Sequence, residues 1–99
     1  MTKRVHISHN HDVCICRPSI YGNPFSYKDN TLATFKVSTK REAIQKHWEY
    51  LISNRELQEA VEDLRDKTIA CFCKENETCH GDNYIKWLNI DRKIERLFG

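Results

Sequence analysis

No stretch of this sequence stays apolar for the ~20 residues that a bilayer-spanning helix needs, and Met1-Thr2-Lys3-Arg4 leads into no apolar signal core. A cytoplasmic protein without a membrane partner is therefore expected. Charge of one sign is equally scarce: sixteen Lys and Arg against fourteen Asp and Glu leave a formal +2, with the signs interspersed. That disfavours duplex nucleic acid as a partner, because such a footprint is more basic on one face. Internal repeats, low-complexity tracts and linkers are lacking too. A chain of 99 residues buries too little surface for two cores, so 1–99 reads as a single domain. With 39% hydrophobic and 30% charged residues, it has the balance of an ordinary globular domain rather than a disordered one.

What the chain has in excess is cysteine. Five occur, an odd number without an export signal, so metal-bound, reactive or buried thiols are expected before disulfides.

Alternating apolar residues in Arg4-Val5-His6-Ile7 and in Asp12-Val13-Cys14-Ile15-Cys16 predict two short strands, with His9-Asn10-His11 as the turn of an N-terminal hairpin. Pro18, Gly22, Asn23 and Pro24 make 17–30 a loop. Thr34 to Val37 either adds a short strand or leads into a helix. Thr39 and Glu42 form a capping-box pattern, and Ile44, Trp48, Leu51 and Ile52 share one stripe of a helix over 40–53. Leu57, Ala60, Val61 and Leu64 predict a second, shorter helix. The run 67–73 reads as a buried central strand ending at Cys73, since Ile69 to Phe72 are all apolar. A last helix is expected from about Cys79 with Thr78 as N-cap, burying Tyr84, Trp87 and Leu88 and continuing through Ile90, Ile94, Leu97 and Phe98. The fold class is α/β: a small sheet with three to four packing helices.

The loop from Arg17 to Phe25 gathers Arg17, Ser19, Tyr21 and Asn23 around rigid backbone. Arg17 suits a phosphate or carboxylate, Ser19 and Asn23 offer hydrogen bonds, Gly22 permits close approach, and Tyr21 can stack on a base. In the plainer reading, Ser19 and Asn23 satisfy the loop's own backbone.

The second chemical segment is Cys71-Phe72-Cys73, followed after five residues by Cys79-His80-Gly81-Asp82. Cys71 and Cys73 share a strand face, while Cys79 and His80 open a helix whose N–H groups and dipole favour anions and thiolates. Three uses fit. Zinc can be held by Cys71, Cys73, Cys79 and His80, although the spacing departs from paired C-x2-4-C ligands. Cys79 or Cys73 can act as a nucleophile with His80 or a group elsewhere in the chain as base. Alternatively Cys73, Cys79, His80 and Asp82 wall a pocket for an anionic ligand while Cys71 is core. Cys14 and Cys16 fall on one strand face, where packing is the first expectation and a share in a metal site the second. His6, His9 and His11 read first as a solvated turn and second as a surface metal trap, and Trp48, Tyr50, Tyr84 and Trp87 as core or rim aromatics.

The loop Arg17-Pro18-Ser19-x-Tyr21-Gly22-Asn23-Pro24-Phe25 and the segment Ala70-Cys71-Phe72-Cys73 with Cys79-His80-Gly81-Asp82 together resemble an uncharacterised family of small bacterial and phage proteins, from about Val13 to Leu88. Tyr21 and Phe72 stand where that family carries Trp, Cys16 where it carries Gly, and the proline after Cys73 is missing. The resemblance implies a compact α/β fold and a shared pocket at Arg17, Ser19, Asn23, Cys73, Cys79, His80 and Asp82. It implies no particular reaction.

The leading expectation is a domain that binds, processes or sequesters a small phosphorylated or nucleotide-related ligand between the Arg17 to Phe25 loop and the Cys73 to Asp82 segment. Its rivals are a zinc-stabilised interaction module on Cys71, Cys73, Cys79 and His80, and a phage inhibitor that acts on a host protein through its surface. The 17–25 loop and the 79–82 turn should lie side by side, as loops at the strand ends of an α/β sheet do.

Overall fold

Ile69, Ala70 and Cys71 are consecutive and all buried, a pattern that belongs to a strand covered on both faces. In the computed structural model, which describes residues 2–17, 19–26, 35–74 and 76–98 (side chains to residue 90), that strand is the centre of the sheet. Strands β1 (Lys3–His6), β2 (Val13–Cys14), β3 (Phe25–Ser26) and β4 (Phe35–Lys36) precede helices α1 (Lys40–Ser53) and α2 (Arg55–Glu62). Strand β5 (Thr68–Cys71) and helix α3 (His80–Phe98) follow. The α/β class holds, with three helices among the described residues. The expectations placed on Pro18, on 27–34 and on the side chains of Ile94, Leu97 and Phe98 lie outside the described residues.

The N-terminal hairpin does not form. Strands β1 and β2 both run parallel to β5 and flank it in the order β1-β5-β2, with Val5 opposite Ala70 and Cys14 opposite Ala70 from the other side. The physical reason lies in β5: a β1–β2 hairpin would leave this buried strand at a sheet edge with one row of backbone groups unpaired. The 7–12 crossover is instead pinned to the same strand, with Ile7 N–H donating to the Cys71 carbonyl and Asp12 N–H to that of Thr68. Strand β5 also stops at Cys71 rather than Cys73, and Phe72 turns out to solvent, 71% exposed. Strands β3 and β4 form a separate parallel pair.

Helix α1 starts as its sequence dictates, with the Thr39 side chain accepting from Glu42 N–H and the Glu42 carboxylate accepting from Ser38 N–H. Its buried stripe is Ala43, His47 and Leu51, whereas Ile52 is half exposed. Asn54 ends α1 and caps α2, which buries Leu57 and Val61. These residues join Ile15, Leu64, Ile69, Cys71, Cys79, Tyr84 and Leu88 in one core. Ile90, expected to continue the buried face of α3, is 40% exposed.

Helix α3 approaches the sheet closely at Gly81. A Cβ there would stand 2.7 Å from Ile15 Cδ1 and 2.9 Å from Arg4 Cδ. Gly81→Ala should therefore lower stability by roughly 1–3 kcal/mol, since a packed core yields poorly to an added methyl. Thermal unfolding of the variant checks this; an unchanged melting temperature would mean that α3 can slide.

Candidate metal centre

The C-terminal end of β5 and the start of α3 converge because Cys79, not Thr78, caps the helix. Its Sγ accepts from Gly81 N–H at 3.5 Å, and the Asp82 carboxylate reaches back to Cys79 N–H at 3.0 Å. This is a sulfur version of the capping box, with orphan N–H groups met from both sides. The cap holds the Cys79 sulfur 3.2 Å from that of Cys71. Cys73 completes the cluster: the three Sγ atoms all lie within 4.8 Å of one another, with Cys71 and Cys79 buried and Cys73 half-buried.

Cations frame this sulfur cluster. Arg4 Nη1 contacts Cys71 Sγ at 3.5 Å, and the same guanidinium donates to the Lys74 and Glu77 carbonyls and through Nε to Asp82 Oδ1 at 3.0 Å. One buried Arg side chain, 6% exposed, thus ties the connection after β5 to the start of α3. Lys40 bridges Glu77 at 2.8 Å and also reaches Cys73. Hydrogen bonds from Cys73 and Cys79, with help from Arg4, pull the Cys71 thiol far below its ordinary range against the effect of burial. The same sharing with Cys71 and Cys73, together with burial, drives the Cys79 thiol upward. The helix start does not make Cys79 an exposed, ionised thiol: it is 1% exposed and its sulfur acts as a cap.

His80 stands beside the cluster in one orientation. Its Nε2 lies 2.9 Å from the Ile15 carbonyl, which can only accept, so Nε2 carries the proton and Nδ1 presents a lone pair 3.5 Å from Cys79 Sγ. Burial, with Arg17 nearby, lowers its pKa and keeps the ring neutral. Behind it, His47 is fully buried, with Asn83 Nδ2 at 3.0 Å from Nδ1 and the Tyr84 hydroxyl at 3.0 Å from Nε2. Burial first, and then His80, push the His47 pKa down to about 3. Rings of His47, His80 and Tyr84 meet edge to face.

The 17–25 loop does reach this region, since the Tyr84 hydroxyl donates to the Tyr21 carbonyl at 2.6 Å and Arg17 is an electrostatic neighbour of Cys73 and His80. Its polar groups, however, are engaged inside the fold. Arg17 donates to the Asn23 and Phe25 carbonyls, Ser19 to that of Cys16, Tyr21 to that of Ala60, and Asn23 to that of Ala43. Asp82 divides its carboxylate between Arg4 and the α3 cap.

Sequence reasoning missed Arg4, Lys40 and His47. The buried i, i+4 stripe of Ala43, His47 and Leu51 was a usable signal for His47. Arg4 had none, because its partners lie some seventy positions away.

A family model described as a domain of unknown function, DUF4326, matches residues 1–90. Neither the curated proteins nor the solved structures include a match to this chain. No helix among the described residues is long and apolar enough to cross a membrane.

Proposed function

The chain belongs to the DUF4326 family, and we propose that it is a small metal-binding domain in which Cys71, Cys73 and Cys79 hold zinc and His80 supplies the fourth ligand. The observation that carries this reading is the convergence, within 4.8 Å of one another, of the sulfurs of Cys71 at the end of β5, Cys73 in the connection after it and Cys79 at the cap of α3. Zinc–sulfur bonds of ~2.3 Å in a tetrahedron require sulfurs about 3.8 Å apart, so the cluster needs only small adjustments to close on an ion. The sulfur-rich donor set favours a thiophilic metal over magnesium or calcium. His80 fits the same chemistry: a ligating imidazole usually donates its other N–H to a carbonyl, and Ile15 supplies that acceptor. Nδ1 lies 3.5 Å from Cys79 Sγ but is not among the ligand atoms that all lie within 4.8 Å of one another, so the ring would have to approach Cys71 and Cys73 to complete the set.

The bound ion would fix the connection between β5 and α3, where Phe72 stands exposed between two ligands. That makes the domain a metal-organised interaction module. Arg17, Ser19, Tyr21 and Asn23, which the sequence offers to a phosphorylated or nucleotide-like ligand, already serve internal acceptors. This moves the weight from the loop to the sulfur cluster.

The test is metal content by mass spectrometry of protein purified without added zinc. One equivalent per chain is expected, and its absence in protein made in zinc-replete cells would sink the reading. His80→Ala should still bind zinc at the same stoichiometry through the three cysteines but more weakly, as seen by competition with a chromogenic chelator. Unchanged affinity would exclude His80 as a ligand.

A further inference from the structure

Two cysteines remain outside the metal centre. Cys14 lies in the edge strand β2 and Cys16 just beyond its end, both half-buried, with their sulfurs 2.6 Å apart. The residue between them explains the contact. Ile15 has no exposed surface, its N–H donates to the Ala70 carbonyl at 2.9 Å, and its carbonyl accepts from His80 Nε2. With Ile15 fixed through both backbone groups and its side chain in the core, its two neighbours must project together on the opposite side.

Two residues along a strand span about 6.6 Å between Cα atoms, at the long end of what a disulfide bridges. A bond there closes a three-residue loop, which removes little chain entropy from the unfolded state. Such a bridge is a poor structural staple, and its formation and reduction change the stability of the fold little.

We propose that Cys14 and Cys16 form a reversible dithiol–disulfide couple that exchanges with low-molecular-weight thiols and disulfides. In the oxidising direction one of the two thiols loses its proton and attacks a sulfur of the small disulfide. That S–S bond breaks, and the first small thiol leaves carrying the proton. The second cysteine, deprotonated in turn, attacks the protein sulfur of the mixed disulfide and expels the second small thiol. Two protein thiols are oxidised and one disulfide is reduced to two thiols, with no net change in protons.

The experiment uses the full chain as purified, equilibrated in glutathione buffers of graded reduced-to-oxidised ratio, quenched in acid, then denatured, alkylated and digested with trypsin. Cys14 and Cys16 share the peptide 5–28, while Cys71 with Cys73 and Cys79 fall in 68–74 and 75–86. The expected result is a loss of two hydrogens and of both alkyl groups from 5–28 alone, reversible with the ratio. Cys14→Ser and Cys16→Ser should each stop at a glutathione adduct on the remaining cysteine, with metal content unchanged. Full alkylation of 5–28 at every ratio would overturn the proposal. So would a cross-link from 5–28 to 68–74, or loss of metal in either variant, because both would place the pair in the other sulfur cluster.

Discussion

Replacing Cys71 or Cys79 with Ser should abolish stoichiometric zinc binding and bring the melting temperature down by roughly 15 to 30 °C. Ligand thiolates form their site only in the folded chain, so the free energy of metal binding is part of the free energy of folding. With free zinc near a thousand times the dissociation constant, that linkage contributes about 4 kcal/mol. In a domain of this size each kcal/mol moves the midpoint by roughly 4–8 °C. A chelator added to the unaltered protein should produce a similar fall, which separates loss of the ion from any damage done by serine in the core. Cys73→Ser, at the half-buried position, should lower affinity with less disturbance to the metal-free fold. Calorimetry with and without chelator checks all three. If the chelator leaves the melting temperature in place, the cluster holds no stabilising ion.

Acid should destabilise the protein through His47, by an amount on the order of 5 kcal/mol between pH 6.5 and about 3. The sign follows from burial. The folded ring stays neutral down to pH about 3, whereas the unfolded ring takes a proton near 6.5. Between these values the unfolded chain binds the extra proton, so stability is complete above pH 6.5 and is lost as the pH falls. That loss is comparable to the whole stability of many small domains. As the ring stands it has no nitrogen open to a second proton, because Nδ1 accepts from Asn83 Nδ2 and Nε2 faces the Tyr84 hydroxyl, which donates onward to the Tyr21 carbonyl. The direct check is denaturant unfolding of the protein and of His47→Gln over this range. The difference between them should shrink by up to about 1.4 kcal/mol per pH unit as the acid penalty disappears from the variant. Parallel curves would show that His47 is protonated in the folded state. Protonation of the sulfur cluster affects both proteins alike and cancels in the difference.

Helix α1 was legible almost to the residue, because its start depends on Thr39 and Glu42 acting within four positions. Helix α2 was legible for the same reason, through Asn54 and the spacing of Leu57 and Val61. At the other helix the same logic selected Thr78, the usual kind of N-cap, but Cys79 took the role. A sulfur is a weak acceptor and no propensity favours it; it caps here because Asp82 and Arg4 hold it in place.

The sequence by itself determined the helices, the buried character of β5 and the two segments that carry chemistry. Each of these depends on near neighbours, on periodicity or on residue type. Only the tertiary structure decided that β1 and β2 bracket β5 instead of pairing with each other, since strand partnership depends on which backbone groups would otherwise be buried unpaired. It also decided that Arg4 clamps the cysteine segment, that the 17–25 loop spends its polar groups on itself and on nearby helices, and how closely the sulfurs of Cys71, Cys73 and Cys79 meet. The Arg4 clamp joins residues some seventy positions apart, and spacing along a sequence carries no record of distance across a fold.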